Sequence, residues 1–277
     1  MPGTLYVVAT PIGNLEDVTL RALRILREAS VIAAEDTRRT ARLLQHYSIS
    51  TPTTSLHAHN EDSKTPGLIE RLRAGESVAL VSDAGTPLVS DPGATLVAAA
   101  HAAGLRVEPV PGANAALAAI SASGIGGDEF LFVGFPPARA GARLEWLNRL
   151  AAERRPFVVY EAPHRITATL RDMLTVLGDR TVALGRELTK AHEELVVRPI
   201  SEHIGALTNG RGEYTLVIAS PPATPAYPEV PTAKSMSSEF GQLIEIQGIS
   251  RRSAIKQLAL KYGLSARAVY SLVEKGR

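Results

Sequence analysis

The stretch Val78-Ala79-Leu80-Val81-Ser82-Asp83-Ala84-Gly85-Thr86-Pro87-Leu88-Val89-Ser90-Asp91-Pro92-Gly93 joins a short apolar run to a loop crowded with Ser, Asp, Gly and Pro. A four-residue apolar run closed by turn residues reads as a strand buried on both faces, the habit of parallel sheets. A helical pattern follows at Ala94–Ala103 and stops at Gly104. The same strand–loop–helix unit recurs on either side. Leu5–Ala9 is a strand ended by Pro11 and Gly13, and Asp17 reads as the cap of a helix carrying Leu20, Leu23 and Leu26. Val31–Ala34 runs into Glu35-Asp36-Thr37-Arg38 and a helix through Leu43 and Leu44. Thr65-Pro66 reads as a cap with proline at the first helical position, in a helix ending near Gly75. Val107–Val110 is the next strand and Ala113–Ser123 the next helix. Repeated βα units predict an α/β fold.

After Phe130–Gly134 the rhythm changes. Phe157–Glu161 reads as a strand, Ile166–Leu177 as a helix, and Thr181–Gly185, Glu194–Arg198 and Tyr214–Ala219 as strands of a more mixed sheet. The pattern predicts two α/β domains, residues 1–135 and 136–220. A proline-rich tether, residues 221–232, follows. Residues 233–277 read as a small helix-turn-helix-like appendage. In it Ser250 caps one helix with Ala254, Leu258 and Ala259 on its face, and Ser265 caps another with Val269 and Leu272 inward.

Length and composition set the outer limits. At 277 residues with 45% hydrophobic and 21% charged, the chain can bury substantial cores. With no cysteine, disulfides, thiolate metal sites and cysteine nucleophiles are excluded. No apolar run reaches the length of a membrane span, and Met1-Pro2-Gly3-Thr4 has no signal-peptide character, so a cytoplasmic protein is expected. The net charge of +2 hides an asymmetry: from Ala233 onward eight Lys/Arg face three Asp/Glu, a balance of +5, against −3 for the rest. Such a split suits either a polyanion-facing appendage or a solvated helical face.

The sequence contains no P-loop, no G-x-G-x-x-G after the first strand, no H-E-x-x-H and no G-x-S-x-G elbow. What remains is four loops at the carboxyl ends of predicted strands, the edge where open α/β sheets bind ligands. They are Thr10–Asn14, Glu35–Arg39, Ser82–Gly93 and Pro111–Asn114. Any one is ordinary turn chemistry. Four on one edge point to a ligand.

The strings Ala9-Thr10-Pro11-Ile12-Gly13-Asn14-Leu15, Ala34-Glu35-Asp36-Thr37-Arg38, Ser82–Pro87 with Ser90–Gly93, Val110–Ala115, and Tyr160-Glu161-Ala162-Pro163-His164-Arg165 closely resemble the ribosomal RNA small subunit methyltransferase I family. Glu187-Leu188-Thr189-Lys190, His192-Glu193-Glu194 and the segment Ser55–Glu61 extend the resemblance, which covers most of residues 3–219. It implies a two-domain tetrapyrrole-methylase fold with S-adenosylmethionine in the interdomain cleft and no metal. Carried onto this sequence, the cofactor contacts fall on Pro11, Ile12, Asp83, Gly85, Pro87, Leu88, Ala113 and Asn114, with Glu161 and Lys190 from the second domain. The implied activity is 2′-O-methylation of a cytidine in the decoding region of 16S ribosomal RNA, with the 30S subunit as partner and a homodimer as the expected assembly.

A sulfonium-bound methyl is already activated, so catalysis is mostly alignment, while a ribose hydroxyl still has to lose its proton. Candidate bases are Glu35, Lys190 (if burial neutralises it), Glu187, Asp36 and His57, of which Glu35 and Lys190 rank first because both follow short apolar strands. Arg38, Arg39, Arg42, His164 and Arg165 suit RNA phosphates. His57 and Asn60, with Tyr47 and His59, suit a splayed cytosine. For each the alternative is a structural ion pair or a solvated face. The competing functions are a same-fold methyltransferase acting on a tetrapyrrole or on diphthine, and a ligand-sensing DNA-binding regulator.

Overall fold

Side-chain alternation along short strands organises the first layer. The computed structural model describes residues 1–207, 212–221, 231–245 and 248–276. Strands β1 (Thr4–Val8), β2 (Val31–Ala34), β3 (Thr53–Ser55), β4 (Val78–Val81) and β5 (Arg106–Val110) form one sheet in the order β3-β2-β4-β1-β5, every pair parallel. Ile32, Ala34, Ala79 and Val81 pack with helices α1 (Leu20–Glu28) and α2 (Thr37–His46). Val31, Ala33, Val78 and Leu80 point the other way, onto α3 (Glu61–Arg73) and α4 (Ala94–Ala102). Both faces are covered, which is why β2 and β4 are apolar at every position. From β1 the chain crosses to β2 on one side, and from β4 to β5 on the other, so β1 and β4 flank the point where the winding reverses.

Helix α5 (Ala115–Ser123) leads to the second sheet, built from β6 (Leu131–Gly134), β7 (Phe157–Glu161), β8 (Thr181–Arg186), β9 (Glu194–Pro199) and β10 (Tyr214–Ile218) in the order β6-β7-β10-β8-β9. Only β6 and β7 are parallel; β10 runs antiparallel to β7 and β8. Phe157, Val159, Leu216 and Ile218 pack with α6 (Ala140–Leu150) and α7 (Ile166–Leu177), while Val158, Ala183 and Val217 meet α5. A short helix, α8 (Ile200–Ala206), follows β9. Both sheets lie within one compact unit, Met1–Ser220.

The second unit, Pro221–Arg277, has its own core. Met236 and Phe240 of α9 (Ala233–Glu245) pack with Ala254, Leu258 and Tyr262 of α10 (Arg251–Tyr262) and Val269 and Val273 of α11 (Ala266–Lys275). Ser250 and Ser265 cap their helices by accepting from the amides of Ser253 and Ala268. Among the described residues it is a three-helix unit, and Thr232, directly after the proline-rich stretch, caps α9 by accepting from the Ser235 amide. The proline-rich stretch read as a tether falls mostly on 222–230, outside the described residues.

Several local expectations need correction. Thr19, not Asp17, caps α1 by accepting from the Ala22 amide, and Asp17 sits in a preceding 3-10 turn. Helix α3 starts at Glu61, so Pro66 lies inside it and forfeits one helical hydrogen bond. The earlier start places the buried Glu61 carboxylate on the Gly93, Thr95 and Leu96 amides, at the N-terminus of α4. Helix α5 begins at Ala115, with Asn114 as its cap. The strand β3 and the helices α6 and α8 were not anticipated, being short or lacking a strong stop signal.

Candidate active site

The loops after β1 and β4 are sewn together at the winding reversal. Thr10 and Gly85 exchange backbone hydrogen bonds of 2.8 and 3.0 Å. Gly85 has φ of +83°, where a side chain is strained, and an added Cβ would stand 3.2 Å from Ile12 Cγ2. The loop after β1 also meets the second sheet. The Asn14 amide donates to Thr189 Oγ1 at 3.0 Å, and a Cβ on Gly13 would fall 2.5 Å from Lys190 Cγ. Glu187 and Thr189 both have positive φ (50° and 68°), as do Leu88 and Ser90 (70° and 71°) in the loop after β4. Strained non-glycine backbone on both sides of one cleft fits a site whose geometry outranks local stability.

That cleft has a volume of about 430 Å³, within the range of small-molecule sites. Its apolar wall includes Ile12, Val89, Phe135 and Leu188. The second sheet contributes Tyr160 and Glu161 from the end of β7, and Glu213, Tyr214 and Thr215 from the start of β10. Those two ends coincide because β10 is antiparallel to β7, with Tyr214 opposite Glu161. The Tyr160 hydroxyl accepts from the Ala116 amide at 3.2 Å, tying the second sheet to the first turn of α5.

Five carboxylates line the cleft, and their surroundings differ. Asp83 accepts from the Asp36 amide at 2.9 Å and lies 3.3 Å from the Arg39 guanidinium. Glu161, 2% exposed, accepts from Thr169 Oγ1 and the Ala162 amide, with Arg165 Nε 3.2 Å away. Glu213 is paired with Lys190 at 2.9 Å. Glu35 accepts from the Asp83 amide at 3.3 Å, and burial, with Asp83 nearby, pushes its pKa up. Asp91 is pushed up to about 6, first by burial and then by the neighbouring Glu35 charge, against a hydrogen bond from Ser82.

Of the residues expected in the site, Ile12, Glu35, Arg39, Asp83, Gly85, Asn114 and Glu161 line this cleft. Pro11 and Pro87 are buried beside it, and Ala113 accepts from Thr86 Oγ1 through its carbonyl. Leu88 packs into the core of the first sheet. Asn114 spends its Oδ1 on the amides of Ala116 and Leu117.

Lys190 does not fit a neutral base. Burial favours the neutral amine, but hydrogen bonds to Glu187 and Glu213 outweigh it and the pKa is raised. Arg165 is likewise committed: its guanidinium donates to the Pro136 and Pro137 carbonyls and faces Glu161, so it clamps the end of β6 rather than offering a free cation. Asn60 is spent on the His57 amide and Ser55. The His57 ring packs edge-on to His59, with its Nδ1 buried and unpartnered. The Tyr47 hydroxyl donates to the Leu15 carbonyl. Arg38 is exposed, chelates Asp36 and holds that carboxyl down to about 2. Arg42 and His164 are exposed. Asp91, Tyr160, Phe135 and the start of β10 join the cleft beyond the residues the sequence assigns to it, although Asp91 and Tyr160 lie inside the strings that carry the family resemblance.

The chemistry of this set is specific: an apolar, nucleoside-sized cleft with an excess of carboxylates over cations. It suits a cationic ligand with a flat apolar part. Residues 4–203 match the model of the family described as Tetrapyrrole (Corrin/Porphyrin) Methylases. The chain is 45% identical to a Synechocystis sp. protein named Ribosomal RNA small subunit methyltransferase I, over 98% of this chain and 97% of the relative. A Pseudomonas aeruginosa protein of the same name is 50% identical, over 78% and 79% of the two chains. Among solved structures, the uroporphyrin-III C-methyltransferase of Thermus thermophilus, complexed with S-adenyl homocysteine, aligns at a TM-score of 0.56 and 21% identity, over 78% of this chain and 97% of that one.

Proposed function

The chain belongs to the ribosomal RNA small subunit methyltransferase I family of the tetrapyrrole methylases, and on that premise we propose how its cleft works. The protein is an rRNA methyltransferase that uses S-adenosylmethionine, and its product is a cytidine of the 16S decoding region methylated at the ribose 2′-oxygen. The observation that carries the reading is the coincidence of an acidic, apolar-walled cleft with the loops that hold the family's strings.

The cofactor fits what lines the cleft. A sulfonium and an ammonium are both cations, and Asp83 and Glu161 offer them charge, each with one arginine, Arg39 and Arg165, beside it. Ile12, Leu188 and Val89 offer apolar surface for a nucleoside, and the bare Cα of Gly85 leaves room for its close approach. When bound, S-adenosylmethionine supplies an electrophilic methyl group. The protein's part is alignment and proton removal. Residues 1–135 hold the donor through Ile12, Asp83, Gly85 and the Asn114 turn. Residues 136–220 close the cleft through Glu161 and the charged Lys190. Glu35, on the lining beside Asp83, can hold the ribose.

Phe135 is 54% exposed at the cleft and packs edge-on to Tyr160, 5.5 Å between ring centroids. Its free face suits a splayed cytosine. Arg38 and Arg39, exposed in the first turn of α2, and His164, on an exposed turn after β7, suit phosphates. In the second unit, Arg252, Lys256 and Arg267 are exposed, and Arg252 and Lys256 share one stripe of α10 at i, i+4 spacing. That unit supplies a sequence-independent grip on the RNA. A cytoplasmic homodimer acting on the assembled 30S subunit completes the proposal. No described helix is long and apolar enough to cross a membrane.

The test is methyl transfer from labelled donor to three acceptors: 30S subunits lacking the modification, naked 16S RNA, and uroporphyrinogen. Label in the 30S subunits supports the full reading. Label in naked RNA alone removes the assembled subunit from it. Label in the tetrapyrrole alone overturns it.

A further inference from the structure

Five carboxylates border the cleft, and four of them are spoken for. Asp83 is held by a backbone amide and Arg39, Glu161 by Thr169, Ala162 and Arg165, and Glu213 by Lys190. Glu35 accepts from the Asp83 amide and feels the Arg39 charge. Asp91 is different: no cation lies against it among the described residues, and its only side-chain partner is the Ser82 hydroxyl. The groups that face it are Glu35 and Asp83 from the first sheet and Tyr160 from the second. It therefore stands where the two sheets' contributions meet, on the lining of the cleft.

Its placement is enforced from both sides. Upstream, Leu88 and Ser90 hold left-handed backbone conformations. Downstream, the Glu61 carboxylate fixes the amides of Gly93, Thr95 and Leu96. A side chain held this firmly, without a compensating cation, is poorly explained as a structural ion pair.

We propose that Asp91 is the catalytic base that takes the proton from the ribose hydroxyl, with Glu35 as the neighbouring carboxylate that holds the ribose. The inference rests on the methyltransferase reading above. In the step, the ribose oxygen bonds to the methyl carbon while the carbon–sulfur bond breaks. The electron pair stays on sulfur, and the hydroxyl proton passes to the Asp91 carboxylate and then to water. A carboxyl titrating near 6 is ionised at neutral pH yet more basic than an ordinary aspartate, which suits the task.

The experiment is single-turnover methylation of 30S subunits by the full chain across pH 5 to 9, for wild type, Asp91→Asn and Asp91→Glu. S-adenosylhomocysteine affinity is measured in parallel. Wild-type transfer to the ribose tests the underlying reading independently of the variants. Asp91→Asn is expected to lose on the order of 10²- to 10⁴-fold in rate. Its affinity for S-adenosylhomocysteine should stay within about threefold of wild type, and the step in rate near pH 6 should disappear. Asp91→Glu should recover part of the rate and restore a pH step. Asp91→Asn within about twofold of wild type overturns the proposal. So does a loss matched by lost S-adenosylhomocysteine affinity, which would make Asp91 a donor-binding group. Equal loss in both variants, with the pH step unchanged, makes its role structural and also overturns it.

Discussion

Charge buried without a partner has a cost that pH can reveal, and Asp91 is the residue where this cost is largest in the cleft. Its carboxyl titrates near 6 in the folded chain against an ordinary 3.8. Between those values the folded protein binds a proton that the unfolded chain does not. Stability therefore falls as pH rises from about 4 to about 6, and the deficit persists above that. Asp91→Asn should be more stable than wild type by about 1 kcal/mol at pH 8, a figure already reduced for solvent screening, and equal to it at pH 4. Urea melts at the two pH values check this; a variant less stable at pH 8 contradicts it. Gly13 makes a second test at this scale. Its missing side chain lets the loop after β1 lie against Leu188–Lys190. Gly13→Ala should push the two loops apart and weaken S-adenosylhomocysteine binding about tenfold, near 1.4 kcal/mol, in a calorimetric titration.

Elements near the cleft are positioned by a few side-chain-to-backbone bonds. Glu61 joins the start of α3 to the N-terminus of α4 through three amides, where the helix dipole also favours a carboxylate. Glu61→Ala strands those amides and should cost about 2 to 3 kcal/mol in a denaturant melt. It should also slow methyl transfer, since the loop carrying Asp91 loses its downstream anchor. Reading the sequence located β2, β4 and β7 because each is apolar and ends in turn residues. It placed α3 too late because Pro66 resembles a helix start, and the bond that decides the matter reaches from Glu61 to a helix more than thirty residues away. The same limit applies to the site. Asp83, Gly85 and Glu35 were legible from their loops at strand ends. Glu213 and Thr215 were not, because only the antiparallel pairing of β10 with β7 brings the start of one to the end of the other. Lys190 was readable as a site residue but not as a cation, since that depends on Glu213, twenty-three residues on.

Across the whole molecule, charge and chemistry are divided. The body carries the cleft and a balance of −3, and residues 233–277 carry +5 on a unit with its own core. A chain ending at Ser220 should bind S-adenosylhomocysteine as the full chain does while losing at least tenfold in affinity for 16S RNA. The RNA-binding salt dependence should become shallower by roughly one for each phosphate that is no longer neutralised. Filter binding at several salt concentrations tests it, and unchanged RNA affinity would assign the basic unit another role. One measurement decides which atom receives the methyl group. Unmodified 30S subunits are treated with the enzyme and S-adenosylmethionine, their 16S RNA is digested to nucleosides, and the products are identified by mass spectrometry. One new nucleoside, 2′-O-methylcytidine, is expected, and it is absent without enzyme. A base-methylated nucleoside, or no new nucleoside at all, would contradict that expectation.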